Sequence, residues 1–344
     1  MVFIIFQRLL RRVMFKKDPL QIIAFQTYGT ANHLYLRGRA IEDESINLEQ
    51  KGLFALFVNS WKRFETDEIK NTALKVTLPD GVILKTTTDN HGYFIIDEKI
   101  EGLSALTNEE DWLSVQLSYD DDSIKRHIQN DNRFPGELLV PSKTSDFGVI
   151  SDIDDTIIHT GVVSTLKWKV LINSIFKNAA SRIPLEGAAN FYHKLHRGKS
   201  GTHTNPIFYV SHSPWNLYRY LEFFLKQHNF PKGPILLRSF KDIFKKKPLG
   251  DKPQKQKEIL NILETYPHLK FILIGDCGEY DADIYLDIAE KFQSQILAIY
   301  LRSVSHKKKM HRISELFKNY KTIPVLLVKT SDQAVKHAKA HGFI

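Results

Sequence analysis

The chain has 344 residues, of which 42% are hydrophobic and 25% are charged. This composition is typical of a globular protein and excludes a disordered or fibrous one, and the length allows two domains. The 48 lysines and arginines outnumber the 39 aspartates and glutamates, and the net charge of +9 favours acidic partners such as nucleic acid, an anionic membrane or a phosphorylated substrate.

Residues 1–20 carry a basic amphipathic pattern, "MVFIIFQRLLRRVMFKK". It predicts a helix lying on an anionic membrane, and a helix packed on its own protein is the alternative. No run of the sequence approaches the about 18 apolar residues of a transmembrane helix. Cys277 is the only cysteine, so an intrachain disulfide is excluded and a reducing compartment is favoured. We expect a cytoplasmic protein, with peripheral contact at the inner membrane surface as a further hypothesis.

Residues 21–143 have the pattern of short strands. Leu74, Val76 and Leu78 alternate with polar residues, and "PDG" and "DNHG" are hairpin-type turn signals. Alternating strands with such turns predict an antiparallel, β-sandwich-like domain. The segment "SINLEQKGLFALFVNSWKRFETDEI" interrupts this pattern and is predicted to be a helix or a long insertion.

Residues 144–344 have a different pattern of hydrophobic residues. The apolar runs "FGVISD", "IFYVSH", "FILIGD" and "ILAIYL" alternate with helical stretches, and "IPVLLVK" adds another strand before a final helix. Continuous apolar strands separated by helices predict an α/β domain, a parallel sheet with helices on both faces. The polar stretch "PSKTSD", at 141–146, is the predicted boundary between the two domains.

Polar residues follow three of these strands, where the carboxyl ends of a parallel sheet form a ligand crevice. They are Asp152 and Asp154, then Ser211, then Asp276. Carboxylates that converge from separate strands favour a hard cation with oxygen ligands, and Mg²⁺ is the natural candidate.

This cluster predicts attack on phosphorus. Asp152 can serve as the nucleophile beside a metal, and Asp154, two residues later, can act as general acid and then general base. Thr156 is expected to orient the turn by hydrogen bonding. Ser211 and an ammonium group from a following helix are expected to hold the phosphoryl oxygens.

Four ordered motifs carry a family resemblance. "DIDDT", "IFYVS", a following lysine and "LIGDCGEYD" resemble the motifs of the haloacid dehalogenase-like phosphatases. More narrowly, "SDIDDTI", "FYVSHSPWNLY", "GPILLR", "YPHLKFILIGDCGEYDADIY" and "AIYLRSV" resemble the phosphatidate phosphatase family typified by the fungal actin patch protein. The likeness extends over residues 147–344, and "LYLRGRAIED" and "RFETDEI" resemble the N-terminal domain of that family. It implies a Rossmann-like sheet with a small cap.

The resemblance also implies roles at the site. Asp152 would be the nucleophile with its carboxylate on Mg²⁺, and Asp154 the acid/base with its backbone carbonyl on the metal. Asp276 would bind the metal directly and Asp281 indirectly or through water. Lys255, chosen over Lys252, would contact the phosphate, although Gln254 stands where the family usually has histidine.

Other candidates have weaker support. His212, Asn216 and Arg238 are candidate substrate contacts, and Trp215 is interpreted as core packing. Cys277 replaces the serine that is common in the family, and a small buried residue is the favoured interpretation. Asp155 receives no role. The segment of about fifty residues between "DIDDT" and "IFYVS" is the predicted cap, and its shortness favours an open site.

Two basic runs, "KDIFKKKPLGDKPQKQK" and "SHKKKMHR", are predicted beyond strand ends on the side of the acids. Solvated loops are the default interpretation, and attraction of an anionic membrane or headgroup is the alternative. No aromatic stacking platform accompanies them, so nucleic acid is not expected.

The leading hypothesis is a Mg²⁺-dependent phosphatidate phosphatase-like hydrolase acting on a lipid phosphate. The alternatives are a phosphatase of a soluble ester and a non-catalytic binding or scaffold protein.

Overall fold

The computed structural model describes residues 18–42, 68–154, 156–157, 186–238 and 252–344. The predicted N-terminal amphipathic helix, most of the predicted insertion after strand two, most of the predicted cap and most of the first basic run lie outside these residues. Asp155 lies outside them as well. No helix in the described ranges is long and apolar enough to cross a membrane.

The N-terminal half forms a seven-stranded sheet in the order β4-β3-β6-β7-β1-β2-β5. Its strands are β1 (Leu20–Thr30), β2 (His33–Glu42), β3 (Ala73–Thr77), β4 (Ile83–Thr87), β5 (Tyr93–Lys99), β6 (Trp112–Tyr119) and β7 (Phe134–Leu139). The two edge strands approach each other, since the Thr86 hydroxyl donates to the Ile95 carbonyl at 3.1 Å. The sheet therefore curls around its own core, as expected for the β-sandwich-like prediction.

One detail of that prediction is wrong. Strand β1 pairs with β7 in the parallel direction, so the sheet is not purely antiparallel. The predicted alternation is otherwise present, because Leu74 and Val76 are fully buried while their polar neighbours are not. The turn before β5 requires glycine at position 92, which has a φ of 73°, and a Cβ there would lie 2.4 Å from the Ala40 carbonyl oxygen.

The C-terminal half contains a six-stranded parallel sheet in the order β10-β9-β8-β11-β12-β13. Its strands are β8 (Gly148–Asp152), β9 (Ile207–Pro214), β10 (Ile235–Arg238), β11 (Phe271–Asp276), β12 (Ile296–Arg302) and β13 (Val325–Val328). The described helices are α1 (Ala188–Arg197), α2 (Tyr218–Gln227), α3 (Gln254–Thr265), α4 (Asp281–Lys291), α5 (Lys307–Phe317) and α6 (Ser331–Ala340).

Two hydrophobic cores lie on opposite faces of this parallel sheet. Helices α1, α2 and α6 cover one face, and α3, α4 and α5 cover the other. Neighbouring residues of each strand alternate between the two cores, as Ile150 and Val149 do. The parallel α/β architecture expected from the sequence is therefore present.

The two sheets are joined by side-chain and backbone contacts of strand β1. Phe25 stacks on Trp215 with ring centroids 4.2 Å apart, and the backbone N–H of Gln26 donates to the Tyr218 hydroxyl at 2.8 Å. The Tyr266 hydroxyl donates to the carbonyl of Gly29 at 2.7 Å. These contacts hold β1 against both helical layers of the C-terminal half.

Candidate active site

Three neighbouring strands bring polar side chains to the carboxyl edge of the parallel sheet. Strand β8 lies between β9 and β11, so Asp152 at its end lies between Ser211 and Asp276. Asp152 and Asp276 are fully buried, and Ser211 is nearly so. Their convergence follows from the strand order, because parallel strands place their carboxyl ends at one edge.

Helix α3 supplies a buried lysine to these acids. Lys255 lies in its first turn, and the ammonium Nζ is 2.7 Å from Asp152 Oδ1. The same Nζ donates to Asp281 Oδ1, at the start of α4. Lys252, the alternative considered from the sequence, is exposed. The structure therefore brings Lys255, and not Lys252, to the carboxylates.

A loop after β11 fixes the other two acids. The backbone N–H groups of Gly278 and Glu279 donate to Asp276 Oδ1, the second at 3.0 Å. The N–H of Asp276 itself donates to Asp281 Oδ2 at 3.3 Å. A Cβ at Gly275 would lie 2.5 Å from that carboxylate, so the close approach of Asp281 requires glycine.

These acids fit a divalent cation. One carboxylate oxygen from each of Asp152, Asp276 and Asp281 lies within 4.8 Å of the others, and all three residues are buried. Asp152 Oδ2 accepts no hydrogen bond from any group in the described ranges. A buried carboxylate oxygen without a donor, next to two further carboxylates, is the ligand set that a hard cation prefers.

Asp154 is not one of these three carboxylates. Its Oδ2 accepts hydrogen bonds from the hydroxyls of Ser211 at 2.5 Å and Ser213 at 3.2 Å. Ser211 is held in turn, because its oxygen accepts the backbone N–H of Ser213 at 2.8 Å. The Ser211 hydroxyl therefore points to Asp154 here, and the contact expected between Ser211 and phosphate stays a prediction.

Burial dominates the electrostatics of the site. It raises the pKa of Asp152 well above the usual range, and the neighbouring Asp281 and Asp154 act in the same direction against Lys255. Burial would lower the pKa of Lys255, but Asp152 and Asp281 outweigh it and raise that pKa. Burial also raises the pKa of Glu279 to about 8, with Lys255 opposing. Ionising these buried acids together is therefore unfavourable, and a bound cation would favour their charged forms.

The remaining predicted residues lie at the edges of the site or outside it. Thr156 is buried, but its hydroxyl has no hydrogen-bond partner among the described residues, so the expected bond across the turn is not seen. His212 lies in β9 and Arg238 ends β10, two strands from Asp152. Asn216 lines a small cavity at the junction with the N-terminal sheet. Substrate contact by these three residues stays a prediction.

Two interpretations of single residues are confirmed. Trp215 is buried in the core between the two sheets. Cys277 is buried, and burial raises the pKa of its thiol to about 12, so the thiol is neutral packing at ordinary pH.

The sequence reasoning missed two residues of the site. Ser213 donates to Asp154, and Glu279 lies close enough to Lys255 and the acids to affect the pKa of Asp152. The pattern "SHS" places Ser213 on the same side of the strand as Ser211, so the alternation of side chains along a strand could have indicated Ser213 as a site residue. Glu279 lies on a loop, and no periodicity predicts the direction of a loop side chain.

The parallel sheet covered on both faces, with buried carboxylates and a lysine at its carboxyl edge, defines an α/β protein with a candidate divalent-cation site. Residues 147–303 match the family model described as "Phosphatidate phosphatase APP1, catalytic domain". The matched range contains every acid of the site together with Lys255. The predicted resemblance to the phosphatidate phosphatase family is thereby confirmed, and the wider haloacid dehalogenase-like placement stays a prediction.

Two fungal proteins are similar to the chain. It is 33% identical over 222 residues, 64% of the chain, to "Phosphatidate phosphatase APP1" of Saccharomyces cerevisiae. It is 29% identical over 266 residues, 76% of the chain, to an uncharacterized protein of Schizosaccharomyces pombe. The aligned regions span only 35% and 40% of these two relatives.

A solved structure of a mutant ferredoxin-NADP+ reductase from Plasmodium falciparum aligns with 84% of this chain and 94% of its own. The sequence identity is 11% and the TM-score is 0.18, which is too low to indicate a shared fold.

Proposed function

We propose that the chain is a Mg²⁺-dependent phosphomonoester hydrolase that acts on phosphatidate or a related lipid phosphate through an aspartyl-phosphate. The observation that carries the proposal is the buried cluster of Asp152, Asp276, Asp281 and Lys255 inside the range that matches a phosphatidate phosphatase catalytic domain. The curated relative from Saccharomyces cerevisiae, named a phosphatidate phosphatase, supports the choice of substrate class.

In the first step, a carboxylate oxygen of Asp152 attacks phosphorus and the bond from phosphorus to the ester oxygen breaks. Asp154 donates a proton to the leaving oxygen, which departs as an alcohol. Both serine hydroxyls donate to Asp154 Oδ2, so Oδ1 is the oxygen that carries this proton. The phosphoryl group is then an acyl phosphate on Asp152.

In the second step, Asp154 removes a proton from a water molecule, and the water oxygen attacks phosphorus. The bond between phosphorus and Asp152 breaks, which returns the carboxylate and releases inorganic phosphate. Lys255 lies 2.7 Å from Asp152 and offers a positive charge to the phosphoryl oxygens in both transition states.

Asp152, Asp276 and Asp281 would hold the metal. Bound Mg²⁺ would offset the repulsion between the carboxylates and an anionic phosphate ester. Within the chain itself, the N–H groups that hold Asp276 and the approach of Asp281 over Gly275 preorganise the oxygens.

A cavity beside the site supports an amphiphilic substrate. Its volume is about 470 Å³, and it opens next to Thr156 and Gly275. Its lining includes the apolar side chains of Phe191, Ile274, Tyr300 and Val328, and it also carries charged residues of both signs, Arg302, Lys329, Glu186 and Asp332. Apolar walls with a few charged groups suit a ligand that has both a hydrocarbon part and a charged part.

We expect the purified chain to release phosphate from phosphatidate in mixed micelles only when Mg²⁺ is present. Chelation by EDTA should remove the activity and added Mg²⁺ should restore it, because the carboxylate cluster needs a counter-charge. A panel of sugar and nucleotide phosphates, assayed in parallel, is the control. Faster hydrolysis of that panel would contradict the proposal of a lipid substrate. Release of no phosphate from any ester would contradict the proposal of an enzyme.

A basic rim next to the site supports peripheral contact with an anionic membrane. The rim consists of Tyr280 and Lys307 to Lys309. Tyr280 is 57% exposed, Lys307 and Lys308 are exposed at the start of α5, and Lys309 Nζ donates to the Gly278 carbonyl. The rim is thereby attached to the loop after Asp276, where a headgroup would approach. Each lysine near such a surface contributes about 1 kcal/mol.

Neutralising the rim should weaken binding to anionic vesicles. We expect Lys307→Gln/Lys308→Gln to lower the affinity for vesicles containing phosphatidylglycerol by about 30-fold, since two charges correspond to about 2 kcal/mol. The matched control is Lys336→Gln/Lys339→Gln, two exposed lysines of helix α6. Co-sedimentation measures the affinity, and an equal effect of both pairs would show only a dependence on total charge.

A further inference from the structure

The N-terminal sheet contributes an arginine that contacts two residues close in sequence to Ser211 and Lys255. Arg37 lies in β2, outside the range that matches the catalytic-domain model. Its guanidinium lies 4.8 Å from the ring centroid of Trp215, which follows the segment containing Ser211. It also lies 3.7 Å from Glu258 Oε1, on the helix that carries Lys255.

The contact with Glu258 is largely removed from water. The side chains of Arg37 and Glu258 are 20% and 5% exposed. Gln254 Nε2 also donates to Glu258 Oε1, at 2.9 Å. Glu258 lies three residues after Lys255, so both side chains project from nearby positions on helix α3. Loss of the arginine would leave a buried carboxylate without its counter-ion, at one turn from the lysine of the site.

The contact with Trp215 fixes the other segment. One face of the indole stacks on Phe25 at 4.2 Å with an interplanar angle of 16°, and Arg37 lies over the same ring system. Trp215 directly follows Pro214, the last residue of the strand that contains Ser211 and Ser213. Those two hydroxyls hold Asp154, so a shift of this segment would move the proposed acid/base.

We propose that Arg37 is a positioning residue for the phosphatase reaction, which holds the segment of Ser211 through Trp215 and the helix of Lys255 through Glu258. The inference rests on the proposed function. It assigns the N-terminal sheet a part in the active unit. The planar guanidinium suits this place because it stacks on an aromatic ring and still pairs with a carboxylate, whereas a lysine ammonium provides only the charge.

Arg39 provides a matched control. It lies two residues later on the same face of the same strand, its guanidinium lies 4.9 Å from the Tyr93 ring centroid, and it pairs with Glu68 at 3.4 Å. These two partners belong to the N-terminal half, although Arg39 also lines the small junction cavity that Trp215 lines. Arg39→Ala therefore removes an arginine with the same kinds of contact but without the contacts to Trp215 and Glu258.

We expect Arg37→Ala to lower kcat about 10-fold or more with little change in KM, because small displacements of catalytic groups act mainly in the transition state. Arg37→Lys should recover part of the loss. Arg39→Ala should keep the wild-type kcat while changing the melting temperature by an amount similar to Arg37→Ala. The assay uses the full chain with Mg²⁺ and whichever ester, phosphatidate or a member of the control panel, the wild type hydrolyses fastest. A wild-type kcat in both alanine variants, or an equal loss of kcat in both, would overturn the inference.

A double-mutant cycle tests the path through Glu258. Glu258→Gln removes the buried charge, so Arg37→Ala/Glu258→Gln should be no slower than Arg37→Ala alone. Losses that multiply would show that the two residues act independently and would contradict this path. If Arg37→Ala does not fold, the same cycle with Arg37→Lys decides.

Amide hydrogen exchange separates this inference from the proposed function. In Arg37→Ala we expect faster exchange of peptides covering Ile207–Pro214 and Gln254–Thr265, compared with Arg39→Ala. A wild-type chain without phosphatase activity would defeat the proposed function, and exchange would still report whether Arg37 orders these two segments. If Arg37→Ala changes neither the exchange of these peptides nor kcat, the inference about Arg37 is wrong while the proposed function still stands.

Discussion

Replacing Asp152 by asparagine is expected to abolish phosphate release, with a loss of at least about 10³-fold in kcat. The amide has the size of the carboxylate but cannot attack phosphorus, so the acyl phosphate does not form. The measurement is phosphate release with Mg²⁺, together with trapping of phosphoenzyme after acid quench. Asp97→Asn, on a surface strand of the N-terminal sheet and paired with His33, is the matched control. Turnover retained in Asp152→Asn would contradict the assigned nucleophile.

The same variant should fold at least as well as the wild type when metal is removed. Burial raises the pKa of Asp152. A carboxyl group whose pKa is higher in the folded state stabilises the fold at low pH, and this contribution is lost as the pH rises through the folded-state value. At neutral pH the buried carboxyl group of Asp152 therefore lowers the free energy of unfolding, and replacement by asparagine removes this destabilisation. The melting temperature in EDTA shows whether Asp152→Asn is inactive because it lacks the nucleophile or because it is less stable.

Replacing Lys255 by methionine is expected to have the largest effect on stability. Its ammonium is the cation that pairs with both Asp152 and Asp281, and all three side chains are buried. Removing one partner of such a group leaves uncompensated buried charge, which costs about 3–5 kcal/mol of the free energy of unfolding. Urea denaturation at neutral pH in EDTA measures this cost.

Two controls make the lysine prediction specific. Lys252→Met changes an exposed lysine three residues earlier and should alter the free energy of unfolding by less than about 0.5 kcal/mol. Lowering the pH should reduce the deficit of Lys255→Met, because protonation of the buried carboxyls removes the unpaired charge. A deficit of the same size for both lysines would contradict the buried cluster.

Much of the candidate site could be predicted from the sequence, because it lies at the ends of regular elements. Asp152, Ser211 and Asp276 each follow an apolar run, and a parallel sheet must place such positions at one edge. Asp281 and Lys255 were placed by motif order, and the structure brings both to Asp152. The carboxylates that converge are those of Asp152, Asp276 and Asp281. The contact expected between the Asp154 backbone carbonyl and the metal stays a prediction.

The contacts that could not be predicted depend on tertiary packing. The parallel pairing of β1 with β7 joins residues far apart in the chain, and strand alternation carries no information about such partners. Arg37 and Arg39 look equivalent in "LRGRA", yet Arg37 contacts Trp215 and Glu258 of the C-terminal half. Arg39 instead contacts Tyr93 and Glu68 of its own half. Only the docking of the two sheets distinguishes them.

The position of β1 inside the N-terminal sheet also bears on the order of folding during synthesis. This first described strand pairs with β2 on one side and with β7 on the other. The gap from Thr30 to Phe134 is roughly 100 residues, so one side of β1 stays unpaired while most of this half is translated. The ribosome must release β7 before the sheet is complete. Until then, the exposed edge of β1 is a place where a growing chain can pair wrongly or recruit a chaperone.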